Sequence, residues 1–114
     1  MRIYRSADVP VRHVDSEGAA GLTYRGPVDA ESFRLNYVEV APGGSSRSHL
    51  HRWEQVNYVM AGSGHVRVDG ENWSIQAGDW IRLEPGEDHC YVNTSRETLV
   101  LLGVLGPEAI DEEA

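Results

Sequence analysis

The feature that most constrains this chain is a succession of short segments with alternating or β-branched side chains, bounded by glycine and proline. The segments cover residues 33–40, 55–60, 65–69, 73–75, 80–83, 89–93 and 98–105. Asp69-Gly70, between two of them, has the composition of a tight hairpin turn, in which glycine supplies a positive φ. No stretch carries apolar residues at the i, i+3, i+4, i+7 spacing of a helix. Many short strands without helices predict an all-β antiparallel sandwich or barrel.

The chain length and the spread of its turn residues indicate a single small domain. The 114 residues include 12 glycines and 5 prolines, which are distributed and not gathered into a linker. We expect the barrel within residues 31–106. Residues 1–30 form an N-terminal segment, irregular over 18–26, that could contribute a strand to a second subunit. Residues 107–114 form an acidic, solvated tail.

Composition excludes several classes of function. All ten basic residues are arginines, and without a lysine the chain has neither a Schiff-base amine nor a P-loop lysine. The net charge of −8 argues against a nucleic-acid partner, because phosphate binding needs a basic surface. The single cysteine, Cys90, cannot form an intrachain disulfide, and no run reaches membrane-spanning length. We therefore expect a cytoplasmic protein with no membrane partner.

Three histidines stand where a metal site could form. His49 and His51 are two residues apart, so on a strand their side chains share one face. His89 opens a later predicted strand and could supply a third imidazole. Five histidines are not unusual for a chain of this length, so the prediction of a metal site depends on their spacing and not on their number.

These two blocks resemble the paired motifs of the cupin family. The first motif has the form G-x5-H-x-H-x3,4-E-x6-G, and the second has the form G-x5-P-x-G-x2-H-x3-N. The matching residues are Gly43, His49, His51, Gly62, Gly78, Gly86, His89 and Asn93. Gln55 stands at the glutamate position, and Glu84 stands at the proline position with Pro85 following it.

The cupin resemblance implies an antiparallel jelly-roll barrel that holds one divalent transition metal, which could be Mn, Fe, Zn, Ni or Cu. It places the metal on His49, His51, Gln55 and His89. Neutral Gln55 leaves the metal charge uncompensated, which favours Lewis acidity and a substrate that is anionic. Glu54 is the alternative ligand; strand alternation favours Gln55, because only one of the two neighbours can point inward.

Three groups of cupins are closer than the family at large. Residues 49–55 resemble the small manganese-binding cupins, which carry H-x-H-P-W-E-H and are linked to oxidative chemistry. The His, His, Gln, His set is similar to cupins that linearise unsaturated uronates and to polyketide-cyclase cupins. The resemblance implies a metalloenzyme for a small oxygenated acid or carbonyl compound, with dioxygenase-like oxidoreductase chemistry first. The alternatives are a non-redox lyase or isomerase for a sugar acid or polyketide-type substrate, and a non-catalytic small-molecule-binding cupin.

Three further residues are candidates for catalysis. Alternation back from His49 places Arg47 inward, where it could clamp a carboxylate, although it could also lie in solvent at the barrel mouth. Tyr91 could donate a proton to substrate or pack in the core. Glu54 is a candidate proton shuttle.

Other polar and aromatic residues are expected to have structural roles. Trp53 should shield the edge of the site, and Trp73 and Trp80 should pack in the core or between subunits. Cys90 should be a buried thiol, and Asn93 should cap a turn. Further predictions place His13 and His65 outside the metal site, and Val56, Tyr58 and Met60 on an outer face that favours a homodimer.

Overall fold

The computed structural model describes residues 1–110, which form nine β-strands and no α-helix. Two 3-10 turns lie at Ser6–Asp8 and Pro107–Ala109. The strands are β1 (Val11–Ser16), β2 (Ala19–Asp29), β3 (Arg34–Ser45), β4 (Gln55–Ala61), β5 (Ser63–Val68), β6 (Glu71–Gln76), β7 (Trp80–Leu83), β8 (His89–Val92) and β9 (Leu99–Leu105).

All strand pairs are antiparallel and build one curled sheet in the order β6-β5-β8-β3-β9-β4-β7, with β2 also on β3 and β1 on β2. Strand β3 joins the two halves: residues 34–40 pair with β9, while Ser45 pairs with Val92 of β8. The strand bends at Gly43, which has φ +79°, and at Gly44, where a Cβ would lie 2.7 Å from the carbonyl oxygen of Ala20. The all-β jelly-roll prediction is confirmed.

The seven segments of alternating residues each become a strand, from β3 to β9, with bounds close to the predicted ones. The Asp69-Gly70 turn joins β5 to β6, and both residues have positive φ, 49° and 83°. The first of these segments was predicted to end at residue 40, but the backbone continues as part of β3 to Ser45.

The N-terminal segment is more regular than the sequence indicates. Residues 18–26 were expected to be irregular, yet most of them belong to β2, which pairs with β1 and β3 of the same chain. Gly21 and Gly26 have φ of +69° and +129°, and the register of β2 on β3 shifts near both. The glycines therefore form bulges within a strand instead of ending it.

The core lies between the two halves of the curled sheet, where Val40, Val59 and Leu99 are fully buried. At the open end, Trp53, Leu105 and Ala109 form a second apolar cluster. Ala109 thus ties the start of the expected tail to the barrel, while the acidic residues 111–114 lie outside the described residues.

The outer surface carries several exposed aromatic side chains. Trp73 and Trp80 are 58% and 72% exposed, so neither packs in the core, and packing between subunits stays a prediction. Among the aromatic pairs of residues 1–110, Trp80 contacts only the Tyr58 ring, with centroids 4.3 Å apart. Tyr58 is half-buried, and Met60 on the same face is exposed. Within residues 1–110, no helix has the length and apolar character needed to cross a membrane.

Candidate metal centre

Three imidazoles meet at one end of the barrel. The backbones of His49 and His89 are joined by two hydrogen bonds of 3.0 and 2.9 Å, and His51 follows two residues later. The ligand atoms of the three rings all lie within 4.8 Å of one another. His49 and His51 lie in the 46–54 connection and not on a regular strand, and one isolated bridge takes the place of the predicted strand. The three histidines are therefore positioned to hold a metal ion.

Two of the rings are fixed by their own backbone. The Nδ1 atom of His49 lies 2.6 Å from the carbonyl oxygen of Arg47, and the Nδ1 atom of His89 lies 3.1 Å from that of Glu87. A carbonyl oxygen only accepts, so each Nδ1 carries the hydrogen and each Nε2 carries the lone pair. This is the arrangement in which an imidazole offers Nε2 to a metal while its other nitrogen is held in place.

His51 is held by stacking. Its ring lies 4.2 Å from the ring of Trp53, with an interplanar angle of 16°. Trp53 is 6% exposed, so it covers this edge of the site as predicted. Burial, with smaller contributions from His49 and His89, lowers the pKa of His51 to about 4. Burial also lowers the pKa of His89, which keeps both rings in the neutral, metal-binding form at neutral pH.

The lowered pKa of His51 predicts a pH-dependent stability of the metal-free protein. In the unfolded chain this imidazole has its ordinary pKa of 6.5, so between that value and about 4 the unfolded state binds more protons than the folded state. The free energy of unfolding should therefore be highest above pH 6.5 and decrease as the pH falls from 6.5 toward about 4. Thermal melts of the metal-free protein across this range test it. His51→Gln should flatten the dependence and His13→Gln should not; equal slopes in both variants would contradict it.

A fourth polar group faces the three imidazoles. Gln55 opens β4 and lines the cavity beside them. Its Nε2 donates to Asn57 Oδ1 at 3.1 Å, while its buried Oε1 has no hydrogen-bond partner among the described residues. A buried oxygen without a partner costs free energy unless a ligand satisfies it. Three imidazole nitrogens and one unpaired amide oxygen therefore fit a divalent transition metal.

Glu54 points away from this group. Its carboxylate is 64% exposed and lies 3.3 Å from Arg82 Nη2. Glu54 is absent from the residues that line the cavity. The alternation of neighbouring side chains thus directs Gln55 inward and Glu54 outward.

Exchanging the charge at these two positions should separate their roles. Gln55→Glu should tighten divalent-metal binding about tenfold or more, because an anionic oxygen replaces a neutral one beside three imidazoles. Glu54→Gln should leave the affinity unchanged. Competition against a chelator measures both affinities. Weaker binding in Glu54→Gln, together with an unchanged affinity in Gln55→Glu, would identify Glu54 as the ligand.

A cavity of about 850 Å³, including the solvent at its mouth, extends from the histidines into the barrel. Tyr91 lines it and is 6% exposed; its hydroxyl accepts a hydrogen bond from Asn57 Nδ2. Burial raises the pKa of Tyr91 to about 12, so the phenol keeps its proton at neutral pH. Tyr91 is therefore both a core aromatic and a hydroxyl that faces the site.

The cations at the cavity differ from the predicted one. Arg47 is exposed and donates to the carbonyl oxygen of Glu17 at 2.7 Å, outside the cavity, while Ser46 lines it instead. The alternation from His49 does not extend back to Arg47 because β3 ends at Ser45. Arg12 of β1 and Arg34 of β3 line the cavity, and neither was predicted from the sequence.

Asn93, Cys90 and His65 occupy the places expected of them. Asn93 is fully buried and hydrogen-bonds the turn that follows it, so its structural role is confirmed. Cys90 is a buried free thiol. His65 lies on β5, where its Nδ1 is 3.3 Å from Thr94 Oγ1, away from the three-histidine group.

Known proteins share this fold and, in part, this sequence. The polyketide cyclase RemF from Streptomyces resistomycificus is 31% identical with a TM-score of 0.82, covering 94% of this chain and 80% of RemF. A predicted oxalate decarboxylase from Thermotoga maritima has a TM-score of 0.80, covering 92% of this chain and 98% of that one. At 22% identity, it shows the fold alone.

Comparison with sequences leads to the same family. A curated, uncharacterized protein from Aquifex aeolicus is 35% identical over 60 residues, which is 52% of this chain and 49% of that protein. The chain therefore spans about half the length of this curated relative. A family model described as a cupin domain matches residues 36–105, well over half of the chain and including all three clustered histidines. The protein belongs to the cupin family.

Proposed function

We propose that this protein is a metal-dependent enzyme that catalyses a non-redox reaction, such as cyclisation, elimination or isomerisation, of an anionic, carbonyl-containing small molecule. The observation that carries the proposal is the convergence of three imidazoles and the unpaired Gln55 oxygen on a cavity that also presents a protonated tyrosine. The sequence alone favoured dioxygenase-like oxidoreductase chemistry. The similarity to a polyketide cyclase at 31% identity supports the non-redox alternative.

The site residues have separate tasks in such a reaction. A divalent metal held by His49, His51, His89 and Gln55 would supply Lewis acidity toward substrate oxygens. Tyr91 accepts from Asn57, so its own hydrogen is free to be donated to a substrate oxygen. Trp53 covers one edge of the histidine group and restricts water there.

The charge of the cavity favours an anionic substrate. Among the residues 1–110 that line it, two are arginines and none is acidic. Arg34 is neutralised by Asp29, which it contacts through Nε and Nη2 at 2.7 and 3.0 Å. Arg12 lies over the Tyr24 ring, 4.9 Å from its centroid, and forms no ion pair with any described carboxylate. Its guanidinium donors are thus available to a carboxylate or enolate of the substrate.

Arg12→Gln should weaken the binding of an anionic substrate about tenfold, because it removes the cation at the cavity that lacks a carboxylate partner. Metal affinity should not change. Arg47→Gln, which removes an equal charge outside the cavity, is the matched control. Calorimetry with a keto acid measures the loss of affinity. Equal weakening in both variants would mean that the overall charge of the protein, and not the position of Arg12, causes the effect.

The reaction is tested with metal-loaded protein, an oxygen electrode, and a panel of β-keto acids, β-diketones and unsaturated uronates. We expect a substrate to be consumed without oxygen uptake, and Tyr91→Phe to lower the rate about 100-fold at unchanged metal content. Oxygen uptake in proportion to substrate loss would overturn the proposal in favour of a dioxygenase. Binding of these compounds without turnover would overturn it in favour of a binding module.

A further inference from the structure

The side chain of Asn57 lies between two groups of the site and contacts both. Asn57 is on β4, is 3% exposed, and has a carboxamide with both ends in use. Its Oδ1 accepts from Gln55 Nε2 at 3.1 Å, and its Nδ2 donates to the Tyr91 hydroxyl. The oxygen end of the Asn57 amide thus faces Gln55, and its nitrogen end faces the Tyr91 hydroxyl.

From these contacts we infer that Asn57 is a positioning residue, which sets the orientation of the Gln55 ligand and of the Tyr91 hydroxyl together. By holding Gln55 through Nε2, Asn57 leaves Oε1 as the end presented to the metal site, where it has no other partner among the described residues. By donating to Tyr91, it directs the phenolic hydrogen away from itself. This inference rests on the proposed function, because it assigns Gln55 to the metal.

Gly103 supports the same assignment from the neighbouring strand. In the sheet, Gly103 of β9 is paired with Asn57 on one side and with Asn36 of β3 on the other. A Cβ at Gly103 would lie 2.7 Å from Asn57 Oδ1, closer than such atoms approach. Gly103 is not among the residues with positive φ, so its backbone does not require glycine. The space it leaves is occupied by the Asn57 carboxamide, and Gly103 therefore belongs to the positioning group.

Cobalt(II) affinity in a double-mutant cycle tests the inference without any assay of activity. Asn57→Leu should weaken Co²⁺ binding about tenfold, the range found when a hydrogen-bond partner of a metal ligand is lost. In a Gln55→Ala background the same substitution should change affinity by less than about twofold, because the ligand it positions is gone. Asn36→Leu is the matched control, because Asn36 is paired with Gly103 from the opposite side and has no hydrogen bond to Gln55.

If Asn57→Leu fails to fold, Gly103→Ala provides a second way to disturb the Asn57 side chain, because the added Cβ would collide with Asn57 Oδ1. It should weaken Co²⁺ binding in the wild-type background and change the visible absorption spectrum of the bound cobalt, again only while Gln55 is present. An Asn57 effect of equal size in the Gln55→Ala background would overturn the inference. If the wild-type protein bound no Co²⁺ at all, the proposed function itself would fail, which is a distinguishable outcome.

Discussion

Replacement of His89 by alanine should abolish stoichiometric metal binding, with an affinity loss of at least about 100-fold, because a ligand contributes no less than its hydrogen-bond partners do. His89 is 4% exposed, and its ring supplies one of the three clustered ligand atoms. The fold should persist, since His89 is joined to His49 through backbone atoms that alanine retains. Elemental analysis after dialysis against a defined metal concentration measures the loss.

His13→Ala is the matched control for this substitution. His13 is an exposed histidine on β1, where its Nδ1 lies 2.9 Å from Thr23 Oγ1, and it is not part of the three-histidine group. This variant should bind metal as the wild-type protein does. Retention of one metal per chain in the His89→Ala variant would mean that the cluster is not the metal site.

Asn93→Ala should lower the free energy of unfolding by roughly 3 kcal/mol, from about 1 kcal/mol per lost hydrogen bond and the penalty of buried groups left unpaired. Asn93 is fully buried. Its Nδ2 donates to the carbonyl oxygens of Val40 and Glu97 at 2.8 and 2.7 Å. Its Oδ1 accepts from the backbone N–H and the hydroxyl of Ser95 at 2.9 and 2.7 Å. One side chain thereby joins β3 to the turn before β9. Urea denaturation of the metal-free protein gives the value.

Asn72→Ala removes the same amide from an exposed position on β6, where Asn72 Oδ1 accepts one hydrogen bond from Arg67 at 2.9 Å. It should cost less than about 0.5 kcal/mol, as surface substitutions usually do. If Asn93→Ala cost no more than Asn72→Ala, the role of Asn93 in holding the barrel together would be refuted.

Local side-chain patterns predict the part of the fold that carries the histidines. The strands from β3 to β9 each show alternation or β-branched residues, and burial alternates most regularly along β5 and β9. The same alternation places Gln55 and Asn57 inward on β4. The cluster itself was predicted from the spacing of the histidines together with their resemblance to the cupin motifs, although His49 and His51 do not lie on a regular strand.

The N-terminal contribution to the cavity could not be predicted in this way. Gly21 and Gly26 have positive φ and interrupt the alternation of β2, so this strand with bulges resembles a loop in sequence. Arg12 of β1 and Tyr24 of β2, which are paired, were consequently not predicted to line the cavity.

Of the two alternatives for Arg47, the structure shows the exposed one, for a related reason. The residues between Ser45 and Gln55 are not a regular strand, so strand alternation does not determine where the side chain of Arg47 points. Its side chain turns to the carbonyl oxygen of Glu17 on the connection between β1 and β2. The partner of an arginine in an irregular connection depends on tertiary contacts that alternation does not record.

Diffraction at the absorption edge of a bound metal tests the central claim most directly. Crystals grown with Mn²⁺ or Co²⁺ should show one anomalous peak per chain, about 2.0–2.3 Å from the Nε2 atoms of His49, His51 and His89 and from Gln55 Oε1. A peak at Glu54, or no peak within reach of the three imidazoles at saturating metal, would contradict the account of this site.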